Sequence, residues 1–146
     1  MTNCNDNNDC CTVIDTDIGI EYINEKEEDL LNSKTVNHYN KNDIKVFYLV
    51  NGVKKEIFRG NLDYPKMFEV SSSMNSDSII KYGLTLFLND LSGEEIKTTY
   101  LQLSENDTDT ITHTLQKTKN NNNKIIDKVW YNSKFSTDMH TFKIQK

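Results

Sequence analysis

The sequence predicts a single all-β domain, an antiparallel immunoglobulin-like β-sandwich of seven or eight strands. Apolar and polar residues alternate over several short segments, turn-forming residues separate these segments, and almost no stretch has the period of a helix. Such strands must bury their apolar side against a second sheet or inside a closed barrel. A small open barrel of the lipocalin kind is therefore the alternative architecture.

The composition is that of one folded domain. The chain has 146 residues, a single-domain length. Only 36% of its residues are hydrophobic and its mean hydropathy is -0.69, but seven Tyr, six Phe and one Trp interrupt the polar background. This pattern favours a folded chain over a disordered one. No apolar run approaches the roughly 20 residues of a membrane-spanning helix, and we expect no signal peptide in this sequence.

The chain divides into a tether and a domain. Residues 1–12 are polar and acidic and have no periodic apolar positions, so we predict a flexible acidic tether followed by one domain over residues 13–146. The domain opens with alternating apolar residues from Val13 to Tyr22, which predict a half-buried strand. The acidic stretch at residues 25–31 is predicted to be a loop.

A β-hairpin is the clearest local prediction. Residues 44–50 (IKVFYLV) are nearly all apolar and rich in β-branched and aromatic side chains, which predicts a central strand covered on both faces. Asn51-Gly52 follows at once and favours a type I′ turn, because both residues tolerate positive φ. Residues 53–59 (VKKEIFR) are then predicted to return as the partner strand.

The remaining strands follow from the same alternation. The apolar parity switches between Tyr100 and Leu101, which predicts either a bulge or a strand covered on both sides. The last segment is predicted to be an edge strand that can accept a partner strand by β-augmentation. The predicted strands are residues 67–71, 84–88, 96–103, 110–117, 125–131 and 135–144.

Charge argues against a nucleic-acid partner. The net charge is -5, and most of the acidic excess lies in the leading segment. Binding to phosphates needs a basic face, but the lysines are scattered and Arg59 is the only arginine. We therefore predict that nucleic acid is not a partner.

The cysteines all lie in the tether. Cys4, Cys10 and Cys11 lack the paired Cys or Cys/His spacing of a zinc site, so no metal is predicted, and the domain itself has no cysteine for an internal disulfide. Cys4 follows three residues that could remain from a trimmed signal and precedes a flexible acidic run. These features predict a lipid-acceptor cysteine, and the alternative is an ordinary exposed thiol.

Five segments carry a resemblance to a known family. They are residues 4–11, residues 42–48 (NDIKVFY) with the Asn51-Gly52 turn, residues 84–89 (LTLFLN), residues 107–111 (DTDTI) and residues 128–132 (KVWYN). Together these segments resemble small, uncharacterised envelope lipoproteins of the Bacteroidetes. The resemblance extends from Cys4 to Asn132 and implies export, acylation at Cys4 and a β-rich domain displayed outside the inner membrane. It brings no catalytic residues with it.

No catalytic motif is present. The sequence lacks G-x-S-x-G, H-E-x-x-H and a Cys with a neighbouring His, so we predict that the protein is not an enzyme and uses no cofactor. His113 is predicted to be a partly buried packing residue. The pairs Asp15 with Asp17 and Asp107 with Asp109 are each two residues apart, which predicts solvated strand faces, since calcium would need more oxygen ligands.

The tryptophan bears on a surface site. Trp130 and Tyr131 are adjacent on a predicted strand and so face opposite sides, which leaves at most one of the two rings exposed. The other ring is expected to pack in the core.

Two functions from different classes fit these features. The leading hypothesis is a non-enzymatic binding or structural module, exported and held at the cell envelope by a lipid on Cys4, that contacts a protein or a glycan. The membrane would be a partner only through that anchor. The competing hypothesis is a small-ligand carrier barrel or a weak hydrolase whose site assembles from His113, Asp107 and Asp109.

Overall fold

The computed structural model describes residues 12–117 and 123–146, and within these ranges the chain forms two β-sheets and no helix. This confirms the all-β class. The strands are more numerous and shorter than expected. They are β1 (Ile14–Asp15), β2 (Asp17–Ile23), β3 (Lys45–Val50), β4 (Val53–Glu56), β5 (Phe68–Met74), β6 (Ile80–Phe87), β7 (Lys97–Ser104), β8 (Asp107–Leu115), β9 (Lys124–Tyr131), β10 (Lys134–Ser136) and β11 (Thr141–Gln145).

The strands divide between a large sheet and a small sheet. The seven-stranded large sheet has the order β1-β9-β8-β7-β3-β4, and β10 also pairs with β9. The four-stranded small sheet has the order β11-β2-β6-β5. Most neighbours are antiparallel, but β1 runs parallel to β9 and β11 runs parallel to β2. The prediction of a wholly antiparallel arrangement is therefore wrong at these two places.

The first predicted strand is divided between the sheets. β1 pairs with β9 in the large sheet, the chain crosses at the buried Thr16, and β2 pairs with β6 in the small sheet. The carbonyl of Thr16 accepts a hydrogen bond of 2.8 Å from the Leu88 N–H. The alternation predicted that Asp15 and Asp17 share one strand face. Because of this crossing they belong to different sheets, so that prediction is wrong.

The predicted hairpin is confirmed. β3 and β4 pair antiparallel, and Asn51 and Gly52 have φ angles of 51° and 74°. Both values are positive, as a type I′ turn requires. β3 is not covered on both faces, however. Val46 and Tyr48 are buried, whereas Phe47 on the other face is half-buried beneath the Lys54 ammonium, 4.7 Å from the ring centre.

β7 alternates strictly along its whole length. Lys97, Thr99, Leu101 and Leu103 are buried on the inner face, whereas Tyr100 is only half-buried on the outer face. The apparent switch of side arose because two inward positions carry polar residues. The pairing of β7 with β8 does contain an irregularity, which lies between Gln102 and Ser104 rather than at residue 100.

The last predicted strand is two strands on different sheets. β10 pairs antiparallel with β9, and β11 lies beside β2 at the edge of the small sheet. Between them Asp138 caps the turn, because its carboxylate accepts hydrogen bonds from the N–H groups of His140 and Thr141. The chain therefore crosses between the sheets near both ends of the domain.

One hydrophobic core lies between the inner faces of the two sheets. The Tyr48 hydroxyl crosses it and donates a hydrogen bond of 2.7 Å to the Phe87 carbonyl. Burying each aliphatic side chain in such a core contributes roughly 1.5–3 kcal/mol. Its largest fully buried side chains are Ile18, Ile20, Tyr22, Ile44, Tyr48, Leu84, Leu86, Leu88, Leu101, Leu103, Ile111 and Ile126.

The predicted tether, residues 1–12, lies outside the described residues except for Thr12. Cys4, Cys10 and Cys11 therefore also lie outside them. Among the residues that are described, no helix is long and apolar enough to cross a membrane.

Candidate functional site

The inner face of β8 carries a buried carboxylate. The Asp109 residue is 2% exposed. Its carboxylate accepts hydrogen bonds from the hydroxyls of Tyr22 and Tyr131, at 2.9 and 2.6 Å. It also accepts one from the Asn132 amide at 3.0 Å and one from the Lys146 ammonium at 2.6 Å. Asp109 therefore has four donors and needs no water or ligand to satisfy it.

A second carboxylate extends this group. Asp107 accepts hydrogen bonds from the Tyr39 hydroxyl at 2.6 Å and from Lys146 Nζ at 2.8 Å. The Lys146 ammonium thus binds both carboxylates. The Tyr22 and Tyr131 hydroxyls also contact each other. We call this set the Asp109 cluster, and its members are Tyr22, Tyr39, Asp107, Asp109, Tyr131, Asn132 and Lys146.

The Asp109 cluster joins the two sheets. Tyr22 belongs to β2 of the small sheet, Asp109 and Tyr131 belong to β8 and β9 of the large sheet, and Lys146 follows β11. Hydrogen bonds between buried groups that are far apart in sequence fix the packing of the sheets against each other. The prediction that Asp107 and Asp109 form a solvated strand face is therefore wrong for Asp109, and Asp107 is half-buried.

The cluster keeps Asp109 ionised. Burial alone would raise the pKa of Asp109, but the hydrogen bonds from Asn132, Lys146 and Tyr131, together with the Lys146 charge, outweigh burial and lower it. Burial and the nearby Asp109 charge both raise the pKa values of Tyr22 and Tyr131. The tyrosines therefore remain hydrogen-bond donors, and neither phenol is poised to lose its proton as an acid or a nucleophile.

His113 lies on the same face of β8 as Asp109, but its hydrogen bonding is the opposite of that of Asp109. It is 0% exposed, and neither ring nitrogen has a hydrogen-bond partner among the described residues. Burial, and then the charge of the facing Lys97, lower its pKa to about 4, partly offset by Asp90. The packing role predicted for His113 agrees with this position, although the side chain is fully rather than partly buried.

The residues of the competing hypothesis do not form one hydrogen-bonded group. Asp107 and Asp109 share Lys146, whereas His113 lies four residues further along β8, about 13 Å away by strand geometry. The structure brings together only the two aspartates. Within residues 12–117 and 123–146, no group of three or more His, Cys, Asp or Glu side chains is placed to hold a metal ion.

Two other buried polar residues were missed by sequence analysis. The Lys97 ammonium donates to the carbonyls of Ser92 and Glu94. The Asn89 side chain donates to the Leu49 carbonyl at 2.9 Å and accepts from the Leu91 N–H at 3.0 Å. Both residues hold the loop between β6 and β7 against the strands. The burial of Lys97 could have been predicted, because it alternates in step with Leu101 and Leu103 on the inner face of β7.

The outer face of the small sheet carries an open groove of about 510 Å³. Strand register arranges its lining in two rows across the sheet. One row is Thr141, Gly19 and Thr85, and the next is Lys143, Glu21, Gly83 and Ser71. Glycines at Gly19 and Gly83 remove side chains from the middle of both rows. We call this surface the glycine groove.

The two glycines are not required by crowding. A Cβ atom at Gly83 would lie 3.9 Å from the Ile20 carbonyl oxygen, and one at Gly19 would lie 3.6 Å from the His140 carbonyl oxygen. Both are ordinary contact distances, and neither glycine has a positive φ. A glycine inside a strand often marks a bulge, a bend, or a place where a ligand or another backbone approaches closely.

A second groove of about 470 Å³ lies beside β5, between that strand and the loop before β3. Leu31, Tyr39, Val70 and Tyr82 give it an apolar side, and Ser72 lies at the strand edge. We call it the edge groove.

Trp130 and Tyr64 each pack against a neighbouring aromatic ring. Trp130 and Tyr131 face opposite sides as predicted. Tyr131 is buried and Trp130 packs on Phe135, with ring centres 5.7 Å apart. Tyr64 stacks on Phe87 at 5.6 Å.

Comparison with known proteins adds no relative. No family model, curated protein or solved structure matches this chain.

Proposed function

We propose that this protein is a non-enzymatic binding module that contacts its partner through the glycine groove. The observation that carries this proposal is the pair of uncrowded glycines in the centre of an exposed sheet face. The polar cluster inside the domain is hydrogen-bonded to itself, which makes it a structural support for this face. Function is therefore assigned to the outer surface.

The lining of the groove favours a glycan over a protein partner. Protein interfaces are enriched in aromatic residues, Met and Arg. The groove has one aromatic lining residue, Phe142, and offers the hydroxyls of Ser71, Thr85 and Thr141, with Glu21 and Lys143 beside them. Hydroxyl, carboxylate and ammonium groups suit the many donors and acceptors of a sugar. The bare backbone at the glycines lets a sugar ring approach closely.

A glycan array tests this proposal with a pair of matched variants. Gly83→Ala adds a methyl group to the groove, and Gly93→Ala adds one where nothing lies within 4 Å of the new atom. We expect the wild type and Gly93→Ala to bind the same glycan. Gly83→Ala should bind it at least tenfold more weakly, a loss of about 1.4 kcal/mol. Equal binding by all three proteins, or no glycan bound by the wild type, would contradict the assignment.

A protein partner is distinguished by a parallel pull-down from envelope extract. The wild type and Gly93→Ala could recover a protein that Gly83→Ala does not recover. In that case the glycine groove would still be the binding site, but its partner would be a protein rather than a glycan. This outcome would overturn the argument from the hydroxyl lining.

We propose further that the module is exported and held at the cell envelope by a lipid on Cys4. The support is the acidic tether composition and the resemblance to envelope lipoproteins described above. Mass spectrometry of the protein expressed with its native leader should show diacylglycerol on Cys4. Cys4→Ser should lack the lipid and Cys10→Ser should keep it. A free, unprocessed N-terminus would contradict the anchor.

Of the two architectures considered, we propose the immunoglobulin-like sandwich rather than the lipocalin-like barrel. The support is that the hydrogen-bonded strands divide into two separate sheets and that the first strand contributes to both. A lipocalin-like barrel would continue hydrogen bonding around one sheet. An experimental structure with continuous pairing from β11 to the large sheet would contradict this assignment.

A further inference from the structure

We infer that β5 is a self-association edge, at which a second copy of this chain adds its own β5 antiparallel to extend the small sheet. Among the strands of residues 12–117 and 123–146, β5 is the last of that sheet and pairs with β6 alone. An exposed strand edge carries unpaired main-chain groups that can join another strand. The residues from Ser71 to Met74 are all exposed.

The free main-chain groups of β5 can be identified. The Phe87 N–H donates to the Met67 carbonyl, and the Asn75 N–H donates to the Ile79 carbonyl. Because hydrogen-bonded pairs alternate along an antiparallel ladder, Glu69, Ser71 and Ser73 direct their main-chain groups to β6. The residues between them direct theirs to the open edge. These residues are Phe68, Val70, Ser72 and Met74.

Charge distinguishes β5 from the other open edges. At one edge of the large sheet β4 carries Lys54 and Lys55, and at its other edge β1 carries Asp15 and β10 carries Lys134. β11, the other edge of the small sheet, carries Lys143. Two copies paired through any of these edges would bring like charges close together, and like charges opposed across strands are destabilising. β5 has no charged residue from Val70 to Met74. It is therefore the edge on which self-pairing meets no repulsion.

The apolar side chains of β5 suit a two-fold partner. If two copies pair around Ser72, Met74 of one copy lies opposite Val70 of the other, and both side chains point to the same face. Met74 is 64% exposed in the single chain. Val70 lines the edge groove together with Leu31 and Tyr82. The edge groove therefore offers an apolar site for the Met74 side chain of the second copy.

Sedimentation velocity of the full chain over a range of concentrations tests this inference. We expect a dimer whose fraction rises with concentration. Ser72→Lys places two ammonium groups against each other at the two-fold axis and should shift the dissociation constant upward at least tenfold. Gln145→Lys adds the same charge to the exposed face of β11 and should leave dimerisation unchanged.

Two further measurements keep the test decisive. Met74→Ser removes the apolar side chain without adding charge and should also weaken the dimer. If Ser72→Lys fails to fold, Met74→Ser still tests whether β5 forms the dimer contact. Amide hydrogen exchange should slow at Val70, Ser72 and Met74 as concentration rises, because these N–H groups become bonded across the interface.

A wild type that is monomeric at all concentrations would overturn the inference, including the case in which β5 accepts a strand from another protein instead. A dimer that Ser72→Lys and Met74→Ser leave unchanged would also overturn it, because the contact would then lie elsewhere. Loss of glycan binding with intact dimerisation would bear on the glycine groove alone.

Discussion

Asp109 and His113 lie four residues apart on one face of β8. Both are buried titratable side chains, but they differ in their hydrogen bonding. Asp109 has four hydrogen-bond donors, whereas His113 has no partner among the residues described. Asp109 is therefore charged at neutral pH and fixes the two sheets together. His113 is neutral and fills space. Only the first kind of burial specifies a unique arrangement of the sheets.

Removing the Asp109 carboxylate should have the largest effect. Asp109→Ala leaves two buried tyrosine hydroxyls without their acceptor and takes away one of the two carboxylates that bind Lys146. We expect a loss of about 4 kcal/mol in the free energy of unfolding, which is typical of breaking a buried charged group's contacts. Urea denaturation measures it. Asp127→Ala, at an exposed position of β9, should change stability by less than about 0.5 kcal/mol. Equal small losses in both variants would show that the Asp109 cluster does not hold the sheets.

Protonation of His113 and of Asp109 should lower the free energy of unfolding in two different pH ranges. The folded pKa of His113, about 4, lies below its ordinary value of 6.5, so the unfolded chain binds the proton more tightly. Stability should therefore be complete above pH 6.5 and fall as the pH drops to 4, by about 3 kcal/mol. Asp109, whose pKa is also lowered, adds its own loss only below its ordinary value of 3.8.

His113→Leu tests this division. Leucine fills similar space and does not titrate, so the loss of stability between pH 6.5 and 4 should disappear while the loss at lower pH remains. His38→Ala, at an exposed histidine, should keep both phases. Denaturation curves at a series of pH values measure the result. A wild type equally stable at pH 7 and pH 4.5 would contradict the burial of a neutral His113.

The smallest effect is expected from single hydroxyls of the Asp109 cluster. Tyr131→Phe keeps the ring, which packs on Phe142 with centres 5.2 Å apart, and removes one donor to Asp109. We expect a loss of about 1–2 kcal/mol. Tyr22→Phe should behave similarly, and the double variant should lose less than the sum, because removing either hydroxyl already weakens the contacts that the other one makes at Asp109. Additive losses would contradict a shared network.

Much of the strand content was predictable from local patterns. The alternation over residues 84–88 and the Asn51-Gly52 turn each depend on neighbours in sequence. β6 includes residues 84–87, although it begins earlier, and the turn joins β3 to β4. The division of the first strand at Thr16 and the parallel pairing of β11 with β2 depend on partners far away in sequence. Periodicity contains no information on which distant strand is the neighbour.

The candidate sites show the same limit. Asp109 shares parity with Ile111 and His113, so its inward direction could be read from the sequence. Its donors could not, because Tyr22 and Lys146 come from the two ends of the domain. The glycine groove needs the pairing of β2 with β6 to bring Gly19 and Gly83 together. Each glycine alone was an unremarkable strand residue.

We propose that the inside of the domain has a structural role and that the outer face of the small sheet recognises the partner. A ¹H–¹⁵N NMR titration with the glycan that ranks first on the array distinguishes these two roles. We expect the perturbed amides to cluster around Gly19, Gly83 and Thr85. Perturbation centred on Asp109 and His113, with the glycine groove unaffected, would contradict it.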